Sequence, residues 1–440
     1  MPFSARNFTN DPIIQATVTE ADYINTYQAK KDEKAFVQYS PLLAVLKQSE
    51  TLKGKEMEFI YKLSNSATTS AGYVHCVATA GSSIKLLLKS KKLYAYTNVD
   101  GETMEIFKKD PSSVIASFSE RFLDDASMAM TQNLERQIMT NNITGTGALD
   151  EVLTVTGTGT IASPFLVVLP VNAIMEKYSV GDLLHAGTDG DNGIDINGVR
   201  QLKVVAIREQ TSAVTNRISL VGVPLTTLAP DVILYKASSK DNELIGLRGL
   251  LLANAGDTVY GAVLDQQMAS SKVDVSSFAL ANRGVSSRIF RDMFRTIKKK
   301  SGEYPDLVLT SHEIYRDLEE IMEGSKTFFI QWDSKTKQGV VPIGFNAVEF
   351  IIAGKIIRIV ESEFLAKGEA FVLNTKYMEL MWRAGGKPRW DDRDGTVFRT
   401  TTCDDSFTAR RIAYGEFMAN VGYMGIIQGL VSDDLLAEPT

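Results

Sequence analysis

The sequence is poor in the residues that most often build metal sites and nucleophilic sites. Among 440 residues it has two cysteines, Cys76 and Cys403, and three histidines, His75, His185 and His312. The cysteines are far apart and lack metal-ligand spacing, and in a reducing compartment we do not expect a disulfide between them. The histidines fall in three regions, and none belongs to a metalloprotease or nucleophile motif. This scarcity predicts a protein with no catalytic residues, no metal and no cofactor.

The sequence also lacks a long apolar run and an excess of positive charge. Without about 20 consecutive apolar residues we expect no transmembrane helix, and the N-terminal stretch lacks the apolar segment of a signal peptide. The net charge is −6, which argues against broad nucleic-acid affinity, because such binding needs a basic face. We therefore expect a chain kept in a cytoplasm, with about two or three domains.

Acidic residues are present, but their spacing is not that of a site. Adjacent carboxylates occur at Asp124 and Asp125, at Asp391 and Asp392, and at Asp404 and Asp405. Such neighbours favour solvated turns or helix faces over acid–base pairs. The loop Asp189–Asp195 supplies alternate oxygen ligands, but Ile194 and Arg200 stand where a helix–loop–helix calcium motif has Gly and Glu. We interpret this loop as a solvated turn and leave open whether it binds an ion.

The most prominent feature that is present is a helical stretch from Asp110 to Thr140. Asp110 can cap a helix and Pro111 suits its first turn. Apolar residues then recur every three or four positions as far as Ile138. The pattern predicts a helix roughly 45 Å long. Its narrow apolar stripe indicates that it lies along a surface and is not buried all round.

Before this helix, alternating residues over Lys53–Phe107 predict a long antiparallel hairpin. The first leg contains Met57, Phe59 and Tyr61, and the second passes through Leu86–Leu88 and Leu93–Tyr96. Two strands alone cannot bury a face, so this hairpin needs a partner surface. Lysines on the second leg favour edge protection over a specific contact. Residues 1–40 are polar, which fits either an extended arm or a partly disordered terminus.

Two further blocks follow the helix. Residues 151–240 contain short apolar runs separated by turn residues, which predicts a small barrel or sandwich of inserted-domain size. Residues 303–400 contain a buried-type strand, a helix and more strands, which predicts a compact α/β unit. A late segment within Cys403–Leu430 would return to the domain that the insert interrupts.

This order of segments resembles the major capsid proteins of tailed double-stranded DNA phages, which have the Hong Kong 97-type fold. Gly54–Phe107 looks like the extended loop of that family, and Asp110–Thr140 looks like its spine helix. Gly302–Leu309 resembles the start of its axial domain, and Ala370–Asn374 and Arg410–Leu430 resemble its final strands. The resemblance covers nearly the whole chain apart from the β-rich block. It rests on order and texture, since the family has no invariant catalytic motif.

The resemblance implies an α+β fold of the Hong Kong 97 type, with an inserted β-rich domain. The implied segments are an N-terminal arm (1–50), an extended β-hairpin loop (51–108), the spine helix and start of the peripheral domain (109–150), the inserted β-rich, barrel-like domain (151–240), the peripheral domain continued (241–302), the axial domain (303–402), and a peripheral return strand with the C-terminal tail (403–440).

The resemblance also implies a function. The chain would be a non-enzymatic subunit of hexamers and pentamers in an icosahedral phage head, assembled in the host cytoplasm and located in the virion. Its partners would be other copies, a separate scaffolding protein, a portal protein and non-specifically held double-stranded DNA, with no membrane; a decoration protein is left open. The alternatives are an encapsulin-like shell that loads a cargo enzyme, and a hydrolase or carbohydrate-binding protein built on the β-rich block.

Two sets of residues follow as predicted contact sites. The predicted intersubunit contacts are Met57, Phe59, Tyr61, Lys89, Lys91, Lys92 and Tyr94. The predicted inner face of the spine helix consists of Ser117, Asp124, Asp125 and Gln132. We expect substitutions on that helix face to disturb scaffold or DNA contacts more than folding.

Overall fold

The computed structural model of the chain describes residues 41–62, 83–102, 116–170, 173–187, 202–208, 216–222, 228, 230–237, 239–266, 268–277, 284–323, 348–352, 354–393, 396–400 and 405–432. Several predicted features lie outside the described residues. These are the arm over residues 1–40, the helix start at Asp110 and Pro111, the loop Asp189–Asp195, and the positions His75, Cys76, Cys403 and Asp404.

The described elements alternate between short strands and a few helices. The helices are α1 Pro41–Val45, α2 Ala116–Thr140, α3 Leu247–Leu252, α4 Ser287–Ser301 and α5 His312–Glu323. The strands are β1 Lys47–Leu52, β2 Glu56–Lys62, β3 Ser83–Lys89, β4 Lys91–Asp100, β5 Ala148–Glu151, β6 Thr154–Thr156, β7 Phe165–Val168, β8 Leu183–Gly187, β9 Leu202–Arg208, β10 Arg217–Gly222, β11 Ile233–Lys236, β12 Thr258–Val259, β13 Ala262–Val263, β14 Ser271–Asp274, β15 Leu307–Thr310, β16 Val348–Ile352, β17 Lys355–Glu361, β18 Ala370–Leu373, β19 Met378–Arg383, β20 Arg389–Trp390, β21 Phe398–Thr400, β22 Ser406–Ala419 and β23 Gly425–Gln428.

These elements divide into two compact units. The first unit contains the described residues within Met1–Met57, Lys89–Glu135 and Leu380–Glu416. The second contains those within Glu58–Leu88, Arg136–Glu379 and Phe417–Thr440. Each unit therefore combines segments that are distant in sequence. The seven-segment division that the resemblance implies stays a prediction.

In the second unit, seven strands form a sheet in the order β5-β11-β8-β9-β10-β7-β6. Its first and last strands, β5 and β6, are joined by only two residues. The N–H of Val152 donates to the carbonyl of Val232 at 2.9 Å, and the N–H of Leu153 donates to the carbonyl of Val168 at 2.9 Å. The two edges therefore meet, and the sheet closes on itself, as the barrel alternative predicts.

Alternation along these strands builds the barrel interior. In β9 and β10 every second residue is buried, as in Leu202 and Val204 and in Ile218 and Leu220, because successive side chains of a strand point to opposite faces. These residues join one apolar cluster with further members from the other strands, including Leu234. This part of the chain therefore has a core of its own.

A second sheet of the same unit has the order β14-β23-β18-β15-β17-β16. Helix α4 packs on it through the apolar side chains of Phe290, Met293, Phe294 and Ile297. The hydroxyl of Ser286 caps the helix N-terminus by accepting from the N–H of Arg288. Gly302 ends the helix with a φ of 83°, a left-handed conformation that favours glycine.

Strand pairing in these sheets departs from the α/β unit that the sequence predicts over residues 303–400. The observed sheet takes in Ser271–Asp274 before that range and Gly425–Gln428 after it. Met378–Arg383, which the prediction places in the unit, pairs instead in the sheet of the first unit. Local patterns indicate strands correctly here, but they do not indicate the partner of each strand.

The first unit is built on β22, the longest of the described strands. The sheet order is β1-β19-β22-β20, and β4 and β21 also pair with β22. One face packs on α2 through a cluster of Leu123, Ala126, Trp390, Val397 and Ala409. Strand β22 is therefore the strand around which this sheet is organised, and its role as a return strand to the domain that the insert interrupts stays a prediction.

The predicted hairpin differs from the observed one in its second leg. Only β3 pairs with β2, which makes a two-stranded ribbon. Strand β4, which the prediction continues along the same leg, pairs antiparallel with β22 over ten residues, from Asp100 opposite Ser406 to Lys91 opposite Gly415. The ribbon is therefore shorter than predicted.

Helix α2 differs from prediction in its burial. Toward its start Asp125 is exposed, but Leu134–Met139 is buried on every side. Arg136 forms an ion pair with Glu243, and both side chains are only 2% exposed. The amide oxygen of Gln137 accepts from the N–H of Leu244 at 3.1 Å. The prediction that the helix lies along a surface throughout is therefore wrong for its last two turns.

Candidate assembly surface

One face of the first unit collects tyrosine and arginine side chains. In the β4–β22 ladder Lys92 lies opposite Tyr414, and Tyr96 lies opposite Arg410. Opposed residues in an antiparallel pair point to the same face. Tyr94 belongs to this face too, because it is two residues from each of Lys92 and Tyr96. The alternate residues point to the face that packs on α2, where Ala95 borders the apolar cluster.

The aromatic residues of this face contact one another and a guanidinium group. The rings of Tyr94 and Tyr96 stack with centroids 6.2 Å apart, and the guanidinium of Arg410 lies 5.9 Å from the centroid of the Tyr94 ring. The Tyr94 side chain is 39% exposed and that of Tyr96 is 64% exposed. Partial burial, and then the neighbouring Tyr414, raise the pKa of Tyr94.

Beneath this face a buried carboxylate holds the arginines in place. The Asp391 side chain is 1% exposed, and it accepts from Nε of Arg410 at 3.0 Å. Its other ion-pair partners are Arg393 at 3.0 Å and Arg399 at 3.5 Å. Burial acts to raise the pKa of Asp391, but the hydrogen bond and charge of Arg410, with the other arginines, outweigh it, and the pKa is lowered. The interpretation of Asp391 and Asp392 as a solvated turn is therefore wrong for Asp391.

Next to the tyrosines lies a cavity of about 570 Å³ with strongly basic walls. The lining residues are Lys55, Glu56, Lys89, Ser90, Lys91, Lys92, Arg383, Arg389, Arg393 and Tyr414. Glu56 is the one carboxylate among them, and it pairs with Lys89 at 3.3 Å. Arg393 donates to the hydroxyl of Tyr414 at 3.0 Å. We call this the basic cavity.

The basic cavity joins residues that are distant in sequence. Lys89, Lys91 and Lys92, which the sequence predicts as intersubunit contacts, line it, and Tyr94 lies on the adjoining face. Sequence reasoning missed Arg383 and Arg389, which come from two late strands of the same sheet. The cluster of basic residues between positions 383 and 393 is the signal that could have found them.

The other predicted contact residues are not at this site. Met57 and Phe59 lie on β2 of the ribbon and are half-buried in the single chain. The side chain of Tyr61 lies outside those the structure describes, as does that of Ser117 on α2. Asp125 and Gln132 are exposed on α2, and Asp124 is half-buried. Which side of a shell this helix faces stays a prediction.

The remaining candidates for chemistry are in ordinary surroundings. His312 is exposed and its Nδ1 lies 2.8 Å from Oε1 of Glu361, and His185 is buried on β8. Among the described residues no cluster of three or more His, Cys, Asp or Glu side chains could hold a metal ion. Within the same residues no helix is both long enough and apolar enough to cross a membrane.

Comparison with known proteins finds similarity in structure alone. No family model matches the chain, and no curated protein matches it. The chain is similar to solved phage capsid structures. The capsid asymmetric unit of cyanophage A-1(L) is 12% identical, with 88% of this chain and 92% of that chain covered and a TM-score of 0.47.

Two further similar structures come from a satellite phage and from a GTA particle. The satellite phage P4 procapsid, which includes the size determination (Sid) protein, is 7% identical over 92% of this chain and 98% of that chain, with a TM-score of 0.41. The capsid of the native GTA particle is 7% identical over 89% and 90%, with a TM-score of 0.41. Since these TM-scores are below 0.5, no residue of this chain takes its role from them.

Proposed function

We propose that this chain is a structural subunit of a closed protein shell, the major capsid protein of a phage head. In this proposal copies of the chain form hexamers and pentamers of a Hong Kong 97-type icosahedral lattice around double-stranded DNA. A separate scaffolding protein and a portal protein would take part in assembly, and the mature location would be the virion. The β-rich barrel would be an insertion that braces or decorates the outer surface.

The observation that carries this proposal is the ribbon of β2 and β3. These strands pair with each other and with no third strand among the described residues. A two-stranded sheet is marginal alone, because it cannot bury both of its faces. On β2 the apolar side chains of Met57 and Phe59 remain partly open to solvent, whereas Leu86 and Leu88 of β3 are buried. A neighbouring copy that covers the ribbon would complete it, and closed symmetry would repeat that contact around a shell.

The test is assembly of the full chain, expressed alone and together with candidate scaffolding proteins. We expect particles by size-exclusion chromatography and negative-stain microscopy, with nuclease-protected DNA in particles recovered from infected cells. A chain that stays a stable monomer under all of these conditions contradicts the proposal. Shells that contain a cargo enzyme and never DNA would instead identify an encapsulin-like compartment.

A matched pair of variants connects assembly to the ribbon. Phe59→Ala removes a half-buried ring from β2, and we expect it to lower particle yield. Ile161→Ala removes an apolar side chain that is 91% exposed on the barrel, and it serves as the control. Equal particle yields for the two variants would remove the ribbon from the assembly mechanism.

A further inference from the structure

The basic cavity has more positive charge than the described residues around it neutralise. Four of its cationic side chains, those of Lys55, Lys92, Arg383 and Arg389, make no hydrogen bond or ion pair with any residue in the part of the chain that the structure describes. They line one cavity, so their positive electrostatic potentials add at its centre. The surrounding protein has a low dielectric constant, which strengthens this potential. The cavity is therefore suited to a further anionic group.

The surface beside the cavity has the composition of a protein interface. Tyr94 and Tyr96 lie next to Arg410, and Tyr414 accepts a hydrogen bond from Arg393. Tyrosine and arginine are among the residues enriched at the energetic centres of such interfaces. Asp391 fixes Arg393 and Arg410 from below, so these two side chains lose less conformational freedom when a partner binds. The rings and guanidinium groups are thus preorganised for docking.

Charge complementarity indicates what docks there. The whole chain has a net charge of −6, and the cavity concentrates seven cationic residues against one carboxylate. Outside the cavity the excess of acidic over basic residues is therefore larger than the net charge of the whole chain, and another copy offers carboxylates to the cavity. Because the chain as a whole is acidic, its long-range field does not favour a long nucleic acid.

We propose that the basic cavity and its tyrosine face bind carboxylate side chains of a second copy of this chain. The inference rests on the proposed shell function, because it requires copies to pack against one another. Guanidinium groups can bind carboxylates with two parallel hydrogen bonds, and Arg383 and Arg389 provide two such groups. The contact sets register between subunits and speeds their encounter, as complementary charges do at other interfaces.

The experiment compares two charge reversals of equal size in the full chain. Lys92→Glu with Arg389→Glu alters the basic cavity. Arg291→Glu with Lys299→Glu alters two exposed cations on α4, which are also without partners among the described residues. Each protein is titrated by fluorescence anisotropy with a labelled hexaglutamate peptide and with labelled single- and double-stranded DNA. Particle formation is followed by sedimentation at several salt concentrations.

We expect the peptide to bind the wild-type chain and the α4 variant, and to bind the cavity variant at least about tenfold more weakly. The cavity variant should form fewer particles than the α4 variant. Lys92→Gln with Arg389→Gln removes the charges without reversing them, and should show a smaller loss in both assays. This second variant keeps the test decisive if the double reversal does not fold.

The outcomes that overturn the inference differ from those that overturn the shell function. DNA binding at the cavity with no peptide binding would identify a nucleic-acid contact and overturn it. Particle yields equal to wild type for both charge-reversal variants would also overturn the inference. They would leave the shell function intact. A wild-type chain that never associates overturns the shell function and the second-copy assignment together.

Discussion

The ribbon of β2 and β3 and the closed sheet over Ala148–Lys236 differ in how they bury their apolar side chains. The closed sheet joins its two edge strands, β5 and β6, within one continuous segment and encloses an apolar cluster of its own. The ribbon has two strands, and its ion pairs are on the surface, as in Lys85 with Glu58, which are 73% and 63% exposed. A region with its own core is stable by itself, whereas a region without one depends on what covers it.

This contrast separates residues that hold the chain together from residues left for a partner. Substitutions in and around the closed sheet should lower the free energy of unfolding of the single chain. Substitutions at the partly open positions of the ribbon, such as Phe59, should lower that free energy less and should act mainly on assembly. Four measurements on the chain can break or sharpen the contrast, and they are ordered here by the size of the expected effect.

The largest effect is expected at the buried ion pair close to the closed sheet. Glu243→Gln leaves the Arg136 guanidinium buried without its counter-charge, and we expect a loss of about 3–5 kcal/mol in the free energy of unfolding. Urea titration followed by circular dichroism measures it. The double variant Arg136→Met with Glu243→Leu removes both charges and should recover most of the loss. A single variant as stable as wild type would show that this pair is not a stabilising element.

The next largest effect is expected inside the closed sheet. Leu234→Ala removes a fully buried side chain on β11 and should cost about 2–4 kcal/mol, since the lost transfer energy and the cavity left behind add together. The comparison is Phe59→Ala on the ribbon, which should cost less than half as much in the same urea titration. If Phe59→Ala lowers the free energy of unfolding as much as Leu234→Ala does, the ribbon stabilises the single chain as strongly as the closed sheet, and the contrast is wrong.

An intermediate effect is expected at Asp391, where a buried carboxylate meets arginines that are partly exposed. The pKa of Asp391 is lowered from its usual value near 4, so the folded state favours the ionised form. Its stabilisation is present above a pH of about 4 and is lost as the pH falls through the lower folded-state pKa. Asp391→Asn should cost about 1–3 kcal/mol at pH 7.

The control for this variant is the pH dependence itself. Between pH 7 and pH 2 the unfolding free energy of Asp391→Asn should fall less steeply than that of the wild-type chain, because one linked proton is missing. Parallel curves for Asp391→Asn and the wild-type chain would refute the role of the Asp391 charge.

The smallest effect is expected at the surface of the ribbon. Glu58→Gln breaks the exposed pair with Lys85, and solvent screening limits the cost to about 0–1 kcal/mol. A double-variant cycle with Lys85→Gln gives the coupling energy between the two side chains. A coupling well above this range would mean that the ribbon is held more firmly than its exposure indicates.

Elements with strong local periodicity could be predicted from the sequence. Residues alternate along β9 and β10, and apolar residues recur every three or four positions along α2. Each pattern marks one face of the element, which is the face that becomes buried. The predicted helix Asp110–Thr140 includes all of Ala116–Thr140, and the predicted strands at Val348–Ile352 and Met378–Arg383 have the observed bounds. The local pattern is sufficient in these cases because the spacing of apolar residues within one segment indicates whether that segment is a helix or a strand.

Pairing between distant segments could not be predicted in this way. The partner of β4 is β22, and no local signal in Lys91–Asp100 distinguishes that strand from a continued hairpin leg. The same reason explains Asp391, whose arginine partners Arg399 and Arg410 are brought to it by the sheet. The burial of Arg136 also depends on a distant residue, Glu243. Lys89, Lys91 and Lys92 line the basic cavity, and their role as contacts between subunits stays a prediction. The arginines of the cavity could be assigned to it only from the fold.

The central position of β22 has a consequence for the order of events during synthesis. Strand β4 leaves the ribosome long before β22, the strand it pairs with, and domains form as their segments emerge. The sheet that carries the basic cavity therefore cannot form until β22 has been made. A chain on which β22 has not yet emerged lacks the surface that the proposed contact between copies requires.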